Sequence, residues 1–177
     1  MRLARRHGVP LRVLGGGSNV LVSDQGLRGL VVRPRGGEIR PIGDALVRAD
    51  AAATINGLVR WTINRGLAGL EAWAGTPGTV GGAIYGNAHW KHTDIGDLVE
   101  SVRLVRPDGT LLQVGADRME FAYDDSRLKR SGEILLWAAF RVRPGGDPET
   151  LRGSRGPRWP SASRPSRSSR PVRAASS

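Results

Sequence analysis

Helix-period and strand-period segments alternate over residues 1–150, and the composition then changes abruptly. That pattern predicts one domain of mixed helix and strand followed by a disordered tail over residues 151–177. Three observations carry the prediction: short apolar runs bounded by turn residues, one amphipathic helical repeat, and an Arg/Ser/Pro-rich C-terminus. A body of about 150 residues can bury roughly 68–70% of its unfolded surface, enough for a hydrophobic core.

Taken in order, residues 1–7 read as the last turns of a helix, stopped by Gly8 and Pro10. Residues 11–14 are a short apolar strand, and residues 20–22 and 30–33 are two more, separated by a turn at Ser23, Asp24, Gln25 and Gly26. Residues 38–42 and 45–49 pair as a hairpin across Gly43 and Asp44. Residues 54–65 carry apolar side chains at 55, 58, 59, 61 and 63, one face of a helix, and Gly66 ends it. Residues 99–105 alternate as a half-buried strand, Asp108 and Gly109 turn the chain into residues 111–114, and residues 133–142 form the last strand. The chain opens on half a helix with no strand before it, as if inside a domain.

Two glycine-rich segments stand out among these elements. The first holds Gly15, Gly16, Gly17, Ser18 and Asn19 directly after a strand; the second holds Thr76, Pro77, Gly78, Thr79, Gly81 and Gly82. Glycine gives up side-chain packing and costs more entropy to order, so such runs suggest backbone that approaches something closely. Bare amides in glycine loops point at anions, which suggests a ligand carrying phosphates, and Ser18 and Asn19 add side-chain donors. Neither segment is a dinucleotide Gly-x-Gly-x-x-Gly or a lysine-bearing P-loop, and two plainer readings stay open. The first segment also fits a flexible turn, and Gly81-Gly82-Ala83 also fits a short helix packed tightly on a neighbour.

The other chemistry-bearing residues point less clearly. His89 and His92 flank Trp90 and Lys91 but no second cluster completes four ligands, so no metal site is expected. Trp61, Trp73, Trp90 and Trp137 are scattered and read as packing rather than base-stacking residues. Cysteine is absent, which excludes disulfides and thiolate metal sites. With neither an 18-residue apolar run nor a charged-then-apolar leader, the sequence reads as soluble and cytoplasmic. The net charge of +11 belongs mostly to the tail: seven of the 27 basic residues and none of the 16 acidic ones lie in residues 151–177, which leaves a net of +4 on the body. That balance suits an anionic small molecule as well as a polyanion.

In order along residues 10–143, the segments LGGGSNVLVS (14–23), GLAGLE (66–71), GTPGTVGGAIY (75–85), Asn87-Ala88 and FAYDDS (121–126) resemble the UDP-N-acetylenolpyruvoylglucosamine reductases. Each motif is short, but the ordered set is specific. The resemblance implies an α+β fold, a two-part FAD-binding domain of the vanillyl-alcohol-oxidase (PCMH) type. It also implies FAD as cofactor, held by Gly15, Gly16, Gly17, Ser18, Asn19, Thr76, Pro77, Gly78, Thr79, Gly81 and Gly82. NADPH and a UDP-sugar are the implied partners, with neither nucleic acid nor membrane. The implied reaction moves hydride from NADPH through the flavin to an enolpyruvyl double bond, in peptidoglycan precursor synthesis.

Two departures from the family pattern affect catalysis. Asp124 stands where the family carries an arginine, and no catalytic residue is assigned. An aspartate cannot make the bidentate contact arginine offers a carboxylate, so either another cation, Arg127 or Lys129, replaces it or the site is impaired. The family's earlier strand and helix, and its later substrate domain with a proton-donating serine or cysteine and a glutamate, have no match. The resemblance therefore implies a fragment that does not complete the reaction.

Residues 151–177 hold eight serines, seven arginines and four prolines. Back-translated with GC-rich codons and shifted within the codon, residues 170–177 permit Ser-Gly-Ala-Gly-Cys-Ile-Phe, and residues 158–168 permit a second family-like peptide in the right order. This predicts a frameshift near residues 150–156, which resequencing the coding DNA checks. Two other functions stay open: another oxidoreductase of the same FAD-domain superfamily, or a basic nucleic-acid-binding protein acting through the tail.

Overall fold

The computed structural model describes residues 1–153; residues 154–177 of the expected tail, and with them the frameshift expectation, lie outside the described residues. A helix α1 (Arg2–Arg6) leads into β1 (Leu11–Val13), which pairs in parallel with β2 (Leu30–Val32). The glycine segment 15–19 lies in the crossover between them. Residues 20–22, expected as a strand, run outside any strand, with Leu21 fully exposed. None of their amides joins a ladder among the described residues. An apolar run becomes a strand only when a neighbour takes its backbone hydrogen bonds.

The second part is built on a five-stranded antiparallel sheet. Its strands are β3 (Ile39–Ile42), β4 (Leu46–Asp50), β7 (Val99–Val105), β8 (Leu111–Gly115) and β9 (Ile134–Arg141), in the order β3-β4-β9-β7-β8. A two-residue ladder of β5 (His89–Trp90) and β6 (Thr93–Asp94) stands apart. The hairpins at Gly43-Asp44 and Asp108-Gly109 fall where expected; Gly43 and Gly109 both have the positive φ that favours glycine. Val102 and Leu104 on β7 face Ala138 and Leu135 on β9, and these residues, with Phe140, are buried.

Helix α2 (Ile55–Ile63) begins at Thr54, whose Oγ1 accepts a hydrogen bond from the Gly57 amide at 3.0 Å. Its buried residues Ile55, Leu58, Val59, Thr62 and Ile63 follow helical spacing and form one face. Beyond it come α3 (Val80–Tyr85), α4 (Leu128–Ser131) and α5 (Pro148–Gly153). Helix α3 packs on β4 and β9, and α2 lies against α5 and a 3-10 turn at Glu71–Trp73. The expected boundary at residue 150 falls inside α5, where Leu151 is buried against the core. Among the tryptophans, Trp73 is buried in that core, while Trp90 is exposed on β5.

Candidate functional site

The two glycine segments meet. A Cβ at Gly15 would stand 2.7 Å from Thr79 Oγ1, one at Gly16 3.0 Å from Gly78 Cα, and one at Gly78 2.9 Å from Ser18 Oγ. Ordinary side chains at these places would push the loops apart, and Gly78 also sits at φ +105°. Thr54 and Thr79 form an antiparallel bridge behind the contact, with the Ile55 amide on the Gly78 carbonyl and the Val80 amide on the Ala53 carbonyl. The loops are therefore fixed to the start of α2 and α3.

Beside this contact lies a cleft of about 470 Å³. Gly15, Gly16, Gly78 and Thr79 line it, joined by Arg33, Pro34, Arg35, Gly36, Ala52 and Thr54. Of the residues expected from sequence, Gly17, Ser18, Asn19, Thr76, Pro77, Gly81 and Gly82 stand outside its lining. The segment 33–36 was missed by sequence reasoning. Its available signal was a pair of arginines two residues apart just after a strand, followed by Gly36 and Gly37.

Backbone hydrogen bonding separates two kinds of glycine here. Among the described residues, the amides of Gly15, Gly16, Gly17, Ser18, Asn19, Gly78 and Thr79 meet no acceptor. By contrast, the Gly81 amide donates to the Ala51 carbonyl at 2.8 Å and the Gly82 amide to Thr79 Oγ1 at 3.3 Å. The expectation that Gly81 and Gly82 present unshielded donors is thereby corrected. Gly81 serves close packing instead: a Cβ there would come within 3.1 Å of the Ala51 carbonyl.

A second cluster joins the segments 85–89 and 121–129. Asn87, buried and at φ +45°, donates from Nδ2 to the Ala122 carbonyl at 2.8 Å and accepts at Oδ1 from the Gly96 amide at 3.0 Å. Ser126 Oγ donates to the Tyr85 carbonyl at 2.8 Å. These bonds hold a tight turn, closed by paired Ala122 and Asp125, that presents Tyr123 and Asp124 to solvent. Asn87→Ala is expected to lose about 1–3 kcal/mol in urea denaturation, since it strands the buried Gly96 amide and puts alanine at positive φ.

Asp124 lies 3.4 Å from His89 Nδ1, and the His89 and Tyr123 rings stack at 4.7 Å. Arg127 is not the free cation sequence reasoning allowed. Its Nε and Nη2 donate to the Glu133 carboxylate at 2.8 and 2.7 Å, an ion pair buried on the Glu133 side. Lys129, the other candidate, reaches the Asp124 carbonyl and lies 5.6 Å from the Tyr85 ring centroid. In the same turn the Arg130 guanidinium holds the Asp125 carboxyl below its usual range through a side-chain hydrogen bond. A pKa lowered by folding means this contact contributes above the unfolded carboxylate value of 3.8 and is lost as pH falls through the folded one. An NMR titration of Asp125 Cγ is expected to place its midpoint below 3.8, and to restore it in Arg130→Gln.

Free amides on a glycine wall, with arginines along the same cleft, suit a ligand carrying a diphosphate. The chain belongs to the FAD binding domain family, whose model matches residues 1–115, and FAD is the cofactor of that family. It is 43% identical over 157 residues to the UDP-N-acetylenolpyruvoylglucosamine reductase of Rubrobacter xylanophilus, with 86% of this chain and 51% of that protein covered. The enzyme of the same name from Geobacter metallireducens is 40% identical over 152 residues, covering 85% and 50%. This chain thus spans about half the length of the curated relatives it matches.

Among solved structures, UDP-N-acetylenolpyruvylglucosamine reductase from Thermus caldophilus superposes with TM-score 0.68 at 29% identity, covering 85% of this chain and 55% of that one. A cholesterol oxidase from Brevibacterium sterolicum shares the fold at TM-score 0.59 and 19% identity, covering 81% and 31%. The α+β, two-part FAD-binding architecture is therefore the fold of this chain. The residues fit the cofactor on this structure's own terms: the two glycine segments approach each other within the reach of a Cβ, and their amides at the cleft meet no acceptor among the described residues.

Proposed function

We propose that this chain is the FAD-binding part of a UDP-N-acetylenolpyruvoylglucosamine reductase. The observation that carries the reading is the meeting of two glycine segments at one cleft with their amides unspent. On this reading Gly15, Gly16, Gly78 and Thr79 hold the diphosphate by backbone donors. Gly17, Ser18 and Asn19 extend that wall, and Thr76, Pro77, Gly81 and Gly82 fix its shape. FAD, when bound, supplies hydride transfer from NADPH to the enolpyruvyl double bond of the UDP-sugar. The reductase relatives support that choice of reaction over other members of the FAD-binding fold.

The protein's own contribution is positioning. The Asn87 and Ser126 bonds tie the 121–126 turn to the end of α3, so Tyr85, Lys129 and Tyr123 keep fixed places relative to the glycine wall. Lys129 donates to the Asp124 carbonyl and has no carboxylate partner among the described residues, and on this reading it takes the place of the arginine expected there. Among the described residues no helix is long and apolar enough to cross a membrane. We place the protein in the cytoplasm, with NADPH and a UDP-sugar as its small-molecule partners and no nucleic-acid role.

Thermal melting tests the cofactor reading. A ligand that binds only the folded state at about a hundredfold over its Kd adds about 2.7 kcal/mol. For a domain of this size that is a rise of about 5–10 °C in Tm. FAD is expected to produce it, and a melt unmoved by FAD contradicts the reading. Because the chain spans about half the length of its reductase relatives, the reaction itself is tested in a full-length reductase carrying this domain, by NADPH oxidation that requires UDP-N-acetylenolpyruvoylglucosamine. Oxidation that ignores the UDP-sugar favours another oxidoreductase of the fold.

A further inference from the structure

Among the described residues, Arg33 and Arg35 are the only charged ones that line the cleft. Both are exposed, and among the described residues neither guanidinium has an ion pair, a hydrogen bond or an aromatic partner. Most of the protein's other exposed arginines lie elsewhere on the surface. These two stand two residues apart just after β2, on the same cleft as amides that also lack acceptors. Two unpartnered guanidinium groups on one cleft suit a ligand with two negative charges.

Their backbone is anchored on both sides. Leu14 donates to the Val32 carbonyl at 2.9 Å, which ties the segment's start to the glycine loop. Gly37 lies at φ +130° against the backbone of Ala53, which ties its end to the start of α2. Only glycine fits that crossing, because a Cβ there would collide with the Ala53 amide. The arginines are therefore held at the cleft by the same elements that hold the glycine wall.

We infer that Arg33 and Arg35 clamp the diphosphate together with the glycine amides, and so make the site selective for a dinucleotide flavin over flavins without a diphosphate. The inference rests on the FAD reading above. A guanidinium makes charge-assisted, often bidentate bonds to phosphate, about twice as strong as neutral ones, whereas the amide wall alone would discriminate less. Because both side chains are exposed and otherwise unpartnered, replacing them leaves the core untouched.

The test uses the full 177-residue chain and its Arg33→Gln/Arg35→Gln double variant, titrated with FAD, ADP and riboflavin at low and moderate salt. Unliganded melting curves that coincide show that the variant is folded. The inference predicts an affinity for FAD and ADP about 10- to 100-fold lower in the variant, a flatter salt dependence, and unchanged riboflavin binding. Arg33→Lys/Arg35→Lys should recover part of the loss. Equal FAD and ADP affinities in wild type and double variant overturn the clamp while leaving FAD binding intact. A parallel loss of riboflavin binding also overturns it, since the arginines would then support the flavin ring or the loop. If wild type binds ADP through the arginines but FAD no better, the clamp stands and the flavin reading fails. If wild type binds neither, both fail.

Discussion

Gly16→Val is expected to abolish most FAD-dependent stabilisation while the five-stranded sheet still folds. The added Cβ alone would stand 3.0 Å from Gly78 Cα, with the Gly78 carbonyl carbon and amide nitrogen at 3.6 and 3.8 Å, and these are backbone atoms that cannot rotate away. Valine adds two methyl groups to that contact, so the two glycine segments must separate. Gly78 is itself held by the hydrogen bond from the Ile55 amide, which makes the first segment the one to move. Its free amides then leave their places along the cleft. Losing two or more oriented backbone donors lowers affinity by at least about tenfold, at roughly 1 kcal/mol or more each. Gly17→Ala is the control: its Cβ meets open space, so only the cost of its φ of +80° remains, about 1–2 kcal/mol. A Gly16→Val protein that binds FAD like wild type contradicts the account of this wall.

Glu133→Ala is expected to cost about 3–5 kcal/mol of folding stability, measured as a shift in urea midpoint at unchanged m-value. The Glu133 side chain is 4% exposed and takes both bonds of the Arg127 fork, with Arg106 at 3.8 Å. Removing the carboxylate leaves a mostly buried guanidinium without its counter-charge, which costs more than the pair itself contributes. Arg106→Ala, at the exposed edge of the same group, should change stability by less than about 1 kcal/mol. A small Glu133→Ala effect would mean that Arg127 finds water or another acceptor, and would return it to the candidates for the missing cation.

Much of this was readable from the chain because local rules acted on it without competition. The helical spacing from 55 to 63, the Asp108-Gly109 turn and the alternating strand at 99–105 each agree with their tertiary setting. Residues 20–22 failed because an apolar run specifies burial or pairing but not a partner. The glycine segments were recognisable, yet their division of labour was not. Whether an amide faces a ligand or a neighbouring carbonyl depends on contacts between segments far apart in the chain, as Gly81 and Ala51 illustrate. Arg33 and Arg35 escaped notice for the same reason: exposed arginines are ordinary in sequence, and only the cleft sets these two apart. Arg127 looked available until Glu133, six residues on, was seen to hold it.

Equilibrium titration of the chain with FAD, followed by flavin fluorescence, tests the central claim most directly. The account predicts a saturable change with one FAD bound per chain, weakened by Gly16→Val and by loss of the two cleft arginines. A linear, unsaturable response, with the protein shown to be folded by its circular dichroism, would contradict it.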